Sequence, residues 1–226
     1  DEQIRDLAKS NPSALNVEEL LYAATLFDNN GDKLAIYETA MKQFPNDWRG
    51  FNDAGMILFE MGKVDQAKAD FQKADQMSAN NKVVKNNLGA VALKNGNVKE
   101  AEVLFGAATG AGDEVNYNKG IVAIMNGDYK AAVDYFGKCN CENAALANLL
   151  AGNNNEAAKK LNDNKSESAL SSYLKAVVAA RNNDTNAVLS NLKAACAKDA
   201  AMKQLAATDL EFAKLFENAD FKAIVK

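Results

Sequence analysis

The three cysteines are the side chains of this 226-residue chain with the most evident chemical reactivity. Cys139 and Cys141 are separated by one residue, and Cys196 is distant in the sequence. A close thiolate pair can begin a soft-metal site or a redox element, but no second pair and no histidine are present to complete four ligands. Residues two apart are not expected to form a mutual disulfide easily. We favour the alternative that Cys139 is a small, buried packing residue, and we predict no metal site.

The remaining side chains include few groups that are suited to catalysis. Histidine is absent, which removes the commonest general base, and no nucleophile–base pair is recognisable. The glycine-containing segment 107–112 follows a helical pattern and does not join a strand to a helix, so it is not a phosphate-binding loop. We therefore predict that the protein is not an enzyme and uses no cofactor.

Bulk composition narrows the class of partner. The net charge is −4, and lysine and arginine are scattered along the chain without forming a basic stripe. This argues against nucleic acid as a partner. No apolar run approaches the roughly 20 residues needed to span a bilayer, so no membrane insertion is expected. A protein or peptide is the remaining class of partner.

A recurring glycine-centred pattern organises the chain. Gly62, Gly96 and Gly127 are each preceded by a glycine seven residues earlier and followed by a phenylalanine nine residues later. Gly62 and Gly96 are 34 residues apart, the period of a repeated helical hairpin. Such hairpins must stack on copies of themselves to bury their apolar faces. We expect small residues such as Gly89, Ala101 and Ala108 to let the two helices of a hairpin approach closely. Weaker copies of the pattern are centred on Asp28, Gly152 and Asn183.

The residues that carry this pattern resemble the tetratricopeptide repeat. The resemblance rests on the segments Trp48–Gly55, Gly62–Ala67, Phe71–Ala74, Asn87–Gly89, Gly96–Ala101, Phe105–Ala108 and Gly127–Ala132. It is strong over about 48–139 and weaker over 14–45 and 140–200. It implies an all-α fold, a right-handed superhelical solenoid of about six hairpins with a C-terminal helical cap.

This frame divides the chain into three parts. We expect residues 1–13 to be the second helix of a preceding hairpin and residues 201–226 to form capping helices. The repeats between them are predicted at 14–47, 48–81, 82–112, 113–137, 138–168 and 169–200. The step of 25 residues from Gly127 to Gly152 predicts short helices around the fifth repeat.

The resemblance also implies a binding face, because the first helix of each hairpin lines the concave surface of such solenoids. The candidate peptide-binding residues on or beside this face are Asn52, Met56, Asn86, Asn87, Tyr117, Asn118 and Tyr173. Side-chain amides can pair with the backbone of an extended peptide, while tyrosine and methionine add adaptable apolar contacts. These side chains are then expected to be at least partly exposed to solvent. The alternative is that the asparagines cap or bridge neighbouring helices.

The leading functional hypothesis is a non-enzymatic scaffold that binds a protein or peptide along this concave face. We expect it to be a module of a larger, envelope-associated protein, since its overall sequence resembles repeat segments of Gram-negative envelope proteins. That likeness favours a periplasmic or cell-envelope location. The alternative is a structural spacer or self-association element without a groove ligand. A cytoplasmic co-chaperone role is disfavoured, because the paired Lys and Arg that grip a C-terminal carboxylate in some members of the family are missing.

Overall fold

The computed structural model describes residues 1–226 and contains fifteen α-helices, two 3-10 helices and no strand. The α-helices are α1 (Glu2–Ser10), α2 (Val17–Thr25), α3 (Asn30–Gln43), α4 (Trp48–Glu60), α5 (Val64–Met77), α6 (Lys82–Lys94), α7 (Val98–Ala107), α8 (Asp113–Met125), α9 (Tyr129–Phe136), α10 (Glu142–Leu150), α11 (Asn154–Asp163), α12 (Ala169–Arg181), α13 (Thr185–Lys198), α14 (Ala201–Thr208) and α15 (Ala219–Val225). The 3-10 helices are Pro12–Ala14 and Leu210–Leu215. The all-α fold expected from the sequence is confirmed. None of the helices combines the length and apolarity needed to cross a membrane.

Short polar side chains begin many of these helices. Asn16 and Glu19 form a reciprocal capping box at the start of α2. The side chain of Asn81 accepts hydrogen bonds from two backbone amides at the start of α6, and Asn218 does the same for α15. Each cap satisfies backbone N–H groups that have no partner within the helix, which stabilises a helix start by about 1 kcal/mol. Several of the asparagines between helices are explained in this way.

The central position of the repeat pattern is a left-handed residue between the two helices of a hairpin. Gly62, Gly96, Gly127 and Gly152 have φ values of 76°, 79°, 77° and 84°, and Asn183 has a φ of 55°. Glycine adopts this conformation without steric cost, and asparagine tolerates it better than most residues. The weaker repeats centred on Gly152 and Asn183 therefore use the same turn as the strong ones.

The two helices of a hairpin approach closely where glycine faces phenylalanine. A Cβ atom added to Gly89 on α6 would lie 2.5 Å from the ring of Phe105 on α7. Gly55 meets Phe71 in the preceding hairpin, and Gly120 meets Phe136 in a later one, with the same added atom at 2.7 Å in both. Each ring is buried against the glycine of its own hairpin, which explains why the two residue types recur together.

The chain divides into two compact units, residues 1–119 and 120–226, with the boundary inside α8. In the first unit, α1 precedes three helical hairpins formed by α2 and α3, α4 and α5, and α6 and α7. Their cores include Leu20, Ala54 and Phe71.

The second unit contains the hairpins of α10 with α11 and α12 with α13, followed by α14, the 3-10 helix 210–215 and α15. The helices α10 and α11 have only nine and ten residues, as the 25-residue repeat step predicts. Leu161, Leu192, Phe212 and Phe221 are fully buried in the core of this unit, so its last helices share one core with the hairpins.

Candidate functional site

Four asparagines join the first helices of successive hairpins. The Nδ2 of Asn87 on α6 donates to Oδ1 of Asn52 on α4 at 2.8 Å. The Nδ2 of Asn118 on α8 donates to Oδ1 of Asn86 on α6 at 3.0 Å. We call these four side chains the asparagine ladder. The partners are 35 and 32 residues apart, close to one repeat length, so the same bond recurs from one hairpin to the next.

The accepting members of the ladder are buried. Asn52 is 3% exposed and Asn86 is 5% exposed, so the expectation that these two side chains are accessible was wrong. Their remaining donors are also engaged, since Nδ2 of Asn52 bonds to Asp53 and Nδ2 of Asn86 bonds to Glu114. A buried amide is costly unless it is hydrogen-bonded, and these contacts provide the bonds. Asn52 and Asn86 therefore bridge neighbouring helices, which is the alternative that the sequence left open for the asparagines.

The donating members of the ladder have a different environment. Asn87 and Asn118 are only partly buried. Each donates one N–H of its side-chain amide to the ladder, and neither Oδ1 accepts a hydrogen bond from the chain. Because the ladder fixes both amide groups, the two free carbonyl oxygens are held in a defined orientation on adjacent hairpins. Such oxygens can accept hydrogen bonds from the backbone N–H groups of an extended peptide.

Two of the predicted apolar contacts lie beside the ladder. Met56 is 43% exposed, and its Sδ lies 3.8 Å from Nδ2 of Asn52. Tyr117 is 36% exposed and precedes Asn118 on α8. Large apolar side chains at the edge of a fixed polar row can bury the side chains of a bound peptide. The structure therefore brings six of the seven predicted residues to α4, α6 and α8.

Each ladder contact has one acidic side chain bonded to it. Asp53 accepts the bond from Asn52, and burial raises the pKa of this carboxyl above its ordinary value. Burial raises the pKa of Tyr37 to about 12, with further contributions from the negative charges of Asp53 and Glu60. Glu114 adds a carboxylate at the next contact, through its bond to Asn86. Sequence reasoning missed these carboxylates because they fall outside the spacing that defined the face.

Tyr173, the seventh predicted residue, is occupied by the chain itself. It lies on α12 in the second unit, is 4% exposed, and donates from its hydroxyl to Oδ2 of Asp209 at 2.6 Å. Its ring meets the ring of Phe212 edge-on, with centroids 5.6 Å apart. The expectation of an accessible Tyr173 was therefore wrong, because the 3-10 helix 210–215 covers it. Burial and the bond to Asp209 raise the pKa of this phenol well above its usual range.

The structure also corrects the interpretation of the cysteines. Cys139 and Cys141 form a disulfide, with Cα atoms 5.3 Å apart, an ordinary separation for such a bond. The left-handed Gly137, with a φ of 50°, ends α9, and the following turn returns the N–H of Cys139 to the carbonyl of Phe136. This turn brings the two cysteines together despite their short sequence separation. Cys139 is thus not a buried packing residue, whereas Cys196 is free and buried.

No group of three or more metal-ligating side chains is arranged to hold a metal ion. A family model described as tetratricopeptide repeat matches residues 58–117, which include the α6–α7 hairpin. No curated protein sequence matches the chain significantly.

The solved structures that resemble the fold include the following three. A chain of the APC/C hetero-tetramer Cut9–Hcn1 aligns with a TM-score of 0.76 at 14% identity, over 96% of this chain and 45% of that chain. This chain therefore spans less than half the length of that relative. The type IV pilus biogenesis factor PilW aligns with a TM-score of 0.69 at 16% identity, over 93% and 98% of the two chains. The protein pilF of Pseudomonas aeruginosa aligns with a TM-score of 0.66 at 16% identity, over 95% and 97%. At these identities the likeness is one of fold.

Proposed function

The chain is a tetratricopeptide-repeat protein, and on that premise we propose that it binds an extended peptide segment of a partner protein along α4, α6 and α8. The repeat fold is in general that of a scaffold for protein–protein interaction. The observation that carries the proposal is the pair of free, oriented carbonyl oxygens on Asn87 and Asn118. The buried amides of Asn52 and Asn86 hold these oxygens in place, so little ordering of the site is needed on binding.

The chemistry around the ladder favours a particular class of peptide. The backbone N–H groups of the peptide bond to Asn87 and Asn118, and its apolar side chains lie against Met56 and Tyr117. The carboxylates of Asp53 and Glu114, which bond to the ladder, favour lysine or arginine in the peptide over aspartate or glutamate.

The setting we propose is a larger, envelope-associated protein. The fold likeness to the type IV pilus biogenesis factor PilW supports this setting. Fractionation of cells that produce the native full-length protein tests it, with recovery in the periplasmic or envelope fraction as the expected result. Recovery in the cytosolic fraction would contradict the setting while leaving the peptide site standing.

The second candidate function is a structural spacer. It is favoured by the burial of Asn52, Asn86 and Tyr173, since all three use their polar groups for contacts within the chain. A spacer needs no free acceptor groups, so it does not use the Oδ1 atoms of Asn87 and Asn118. For this reason we place peptide binding first.

A peptide-display selection followed by affinity measurement tests the proposal. Peptides selected on the purified protein are labelled, and their dissociation constants are measured by fluorescence polarisation. The double variant N87A/N118A removes both acceptors and also the two Nδ2 donors that satisfy the buried Oδ1 atoms of Asn52 and Asn86, so circular dichroism first establishes that the variant is folded. The folded variant should bind the peptides about tenfold more weakly or worse, the equivalent of two modest hydrogen bonds.

The matched control is Val103→Ser. Val103 is 72% exposed on α7, the second helix of the hairpin that carries Asn87. This variant should bind the selected peptides within about twofold of the parent protein, because it leaves the ladder intact. Failure to select any peptide, or equal affinity of the parent and the double variant, would favour the spacer.

A further inference from the structure

The Cys139–Cys141 disulfide lies in the short segment between α9 and α10 of the second unit. Both cysteines are partly buried and pack against the apolar cluster that includes Phe136 and Ala144. Neither cysteine is fully buried, so the pair lies at the edge of the core and not inside it. Peptide binding by the first unit makes no use of this feature.

A structural role explains the bond poorly. A disulfide stabilises mainly by restricting the unfolded chain, and this effect grows with the length of the closed loop. The bond closes a loop of only three residues, so the restriction is close to the smallest available. The segment is also held without it, because the buried Lys160 donates from Nζ to the carbonyl oxygens of Gly137 and Cys139, both at 3.0 Å.

The position of Cys141 favours its thiolate. Cys141 is the N-cap residue of the nine-residue helix α10, and no side chain caps that helix. Free backbone N–H groups and the positive end of the helix dipole stabilise a thiolate at such a position. The neighbouring carboxylate of Glu142 opposes this effect, but it accepts hydrogen bonds from the hydroxyls of Ser166 and Ser168. The ammonium of Lys160, bonded to the carbonyl of Cys139, adds a positive charge nearby.

We propose that the Cys139–Cys141 pair is a redox-active site that exchanges electrons with external thiols. The disulfide form accepts two electrons from two thiols, and the dithiol form returns them to an external disulfide. Two sources of thiols can carry out this exchange: small thiols, such as glutathione, and the dithiols of other proteins.

The exchange proceeds in two balanced steps. An external thiolate attacks Sγ of Cys139, forms a mixed disulfide, and releases Cys141 as the thiolate stabilised by the start of α10. A second external thiolate then attacks the external sulfur of the mixed disulfide and releases the thiolate of Cys139. The two external thiols leave as one disulfide, and both cysteines take up protons to become thiols. Oxidation is the reverse sequence.

The first experiment counts thiols in the folded protein with the third cysteine removed. The Cys196→Ala variant is incubated with dithiothreitol and then with oxidised glutathione, and free thiols are titrated without denaturant. We expect two thiols per chain after reduction, none after reoxidation, and an unchanged helical circular dichroism spectrum at each stage. Reduction that requires denaturant would show a structural bond, and thiols that stay free in oxidised glutathione would show no pairing. Either result overturns the proposal.

The second experiment tests the assigned roles of the two sulfurs. In the Cys196→Ala background, Cys139→Ser leaves only Cys141, and Cys141→Ser leaves only Cys139. At neutral pH the variant that retains Cys141 should be alkylated by iodoacetamide about threefold faster or more, because of the charge at the helix start. Equal rates, or faster alkylation of Cys139, would overturn the assignment of Cys141 as the leaving group.

A third measurement identifies the source of electrons. The Cys196→Ala protein is reduced by glutathione or by thioredoxin at equal thiol concentration, and the rates are compared. Faster reaction with one of them assigns the site to small thiols or to protein dithiols. Absence of reaction with both would overturn the proposal.

Discussion

At the scale of single residues, glycine on one helix of a hairpin packs tightly against phenylalanine on the other helix. Phe105 is fully buried, so its ring has no room to move away from a side chain added at Gly89. We expect Gly89→Ala to lower the free energy of unfolding by about 1–3 kcal/mol through overpacking. Chemical denaturation monitored by circular dichroism measures this change.

Gly106→Ala provides the matched control for this prediction. Gly106 lies in α7, next to Phe105, and an added Cβ would meet nothing within 4 Å. Alanine is the better helix former, so this variant should gain up to about 0.5–1 kcal/mol. A loss of stability in both variants, or in neither, would show that the Gly89 contact is not the determinant.

A second residue-scale prediction concerns Asp70 on α5. Burial, and then the negative charge of Glu38 on α3, raise the pKa of Asp70 to about 6. The folded protein therefore binds a proton that the unfolded chain has released between about pH 4 and pH 6, and stability falls as the pH rises through this window. Asp70→Asn should melt at a higher temperature than the parent at pH 7.5, and the difference should vanish near pH 4.

Glu38→Gln is the companion variant for Asp70→Asn, because it removes the smaller of the two causes. Its gain in melting temperature at pH 7.5 should be smaller than that of Asp70→Asn. A difference between Asp70→Asn and the parent that persists unchanged at pH 4 would contradict the electrostatic explanation.

At the scale of elements, the last segments of the chain are held by aromatic side chains. Phe212, in the 3-10 helix 210–215, is fully buried and contacts the rings of Tyr173 and Phe221. Phe212→Ala should destabilise the second unit by about 3–5 kcal/mol, as expected for removal of a buried aromatic ring. Leu210, in the same helix, is 81% exposed, so Leu210→Ala should stay within about 0.5 kcal/mol of the parent. Similar effects of the two variants in thermal melts would show that this helix is not docked as described.

Local sequence predicts the elements of this fold well, but it predicts their contacts less well. The turn at Gly62, repeated at Gly96 and Gly127, depends on a backbone conformation that one residue type adopts easily, so its spacing can be read directly. The bond to Asn52 comes instead from Asn87, which lies one repeat away, and nothing near Asn52 in the sequence identifies that partner. The accessibility of Tyr173 was misjudged because the segment that buries it contains Asp209, and the sequence predicted only that residues 201–226 form capping helices, without their contacts.

The disulfide was missed for a related reason. The left-handed turn at Gly137 brings the two cysteines together. Lys160, more than twenty residues from Gly137 and Cys139 in the sequence, donates hydrogen bonds to the carbonyl oxygens of both. The short spacing of Cys139 and Cys141 argued against the bond while the path of the backbone was unknown. The distance between two Cα atoms is a property of the turn that joins them, and the sequence did not specify that turn.

At the scale of the whole molecule, binding of a ligand to the native state alone must stabilise it. A selected peptide at a free concentration of 100 times its dissociation constant should raise the free energy of unfolding by about 2.7 kcal/mol. Hydrogen exchange followed by mass spectrometry locates the effect along the chain, since amides near the ligand become protected. With the peptide on the ladder, added protection should fall on α4, α6 and α8. At the same peptide concentration, tenfold weaker binding by N87A/N118A should reduce the stabilisation from about 2.7 to about 1.4 kcal/mol. Protection confined to α12–α15 would instead move the site to the second unit, and protection in neither place would leave the ladder as a purely structural bridge.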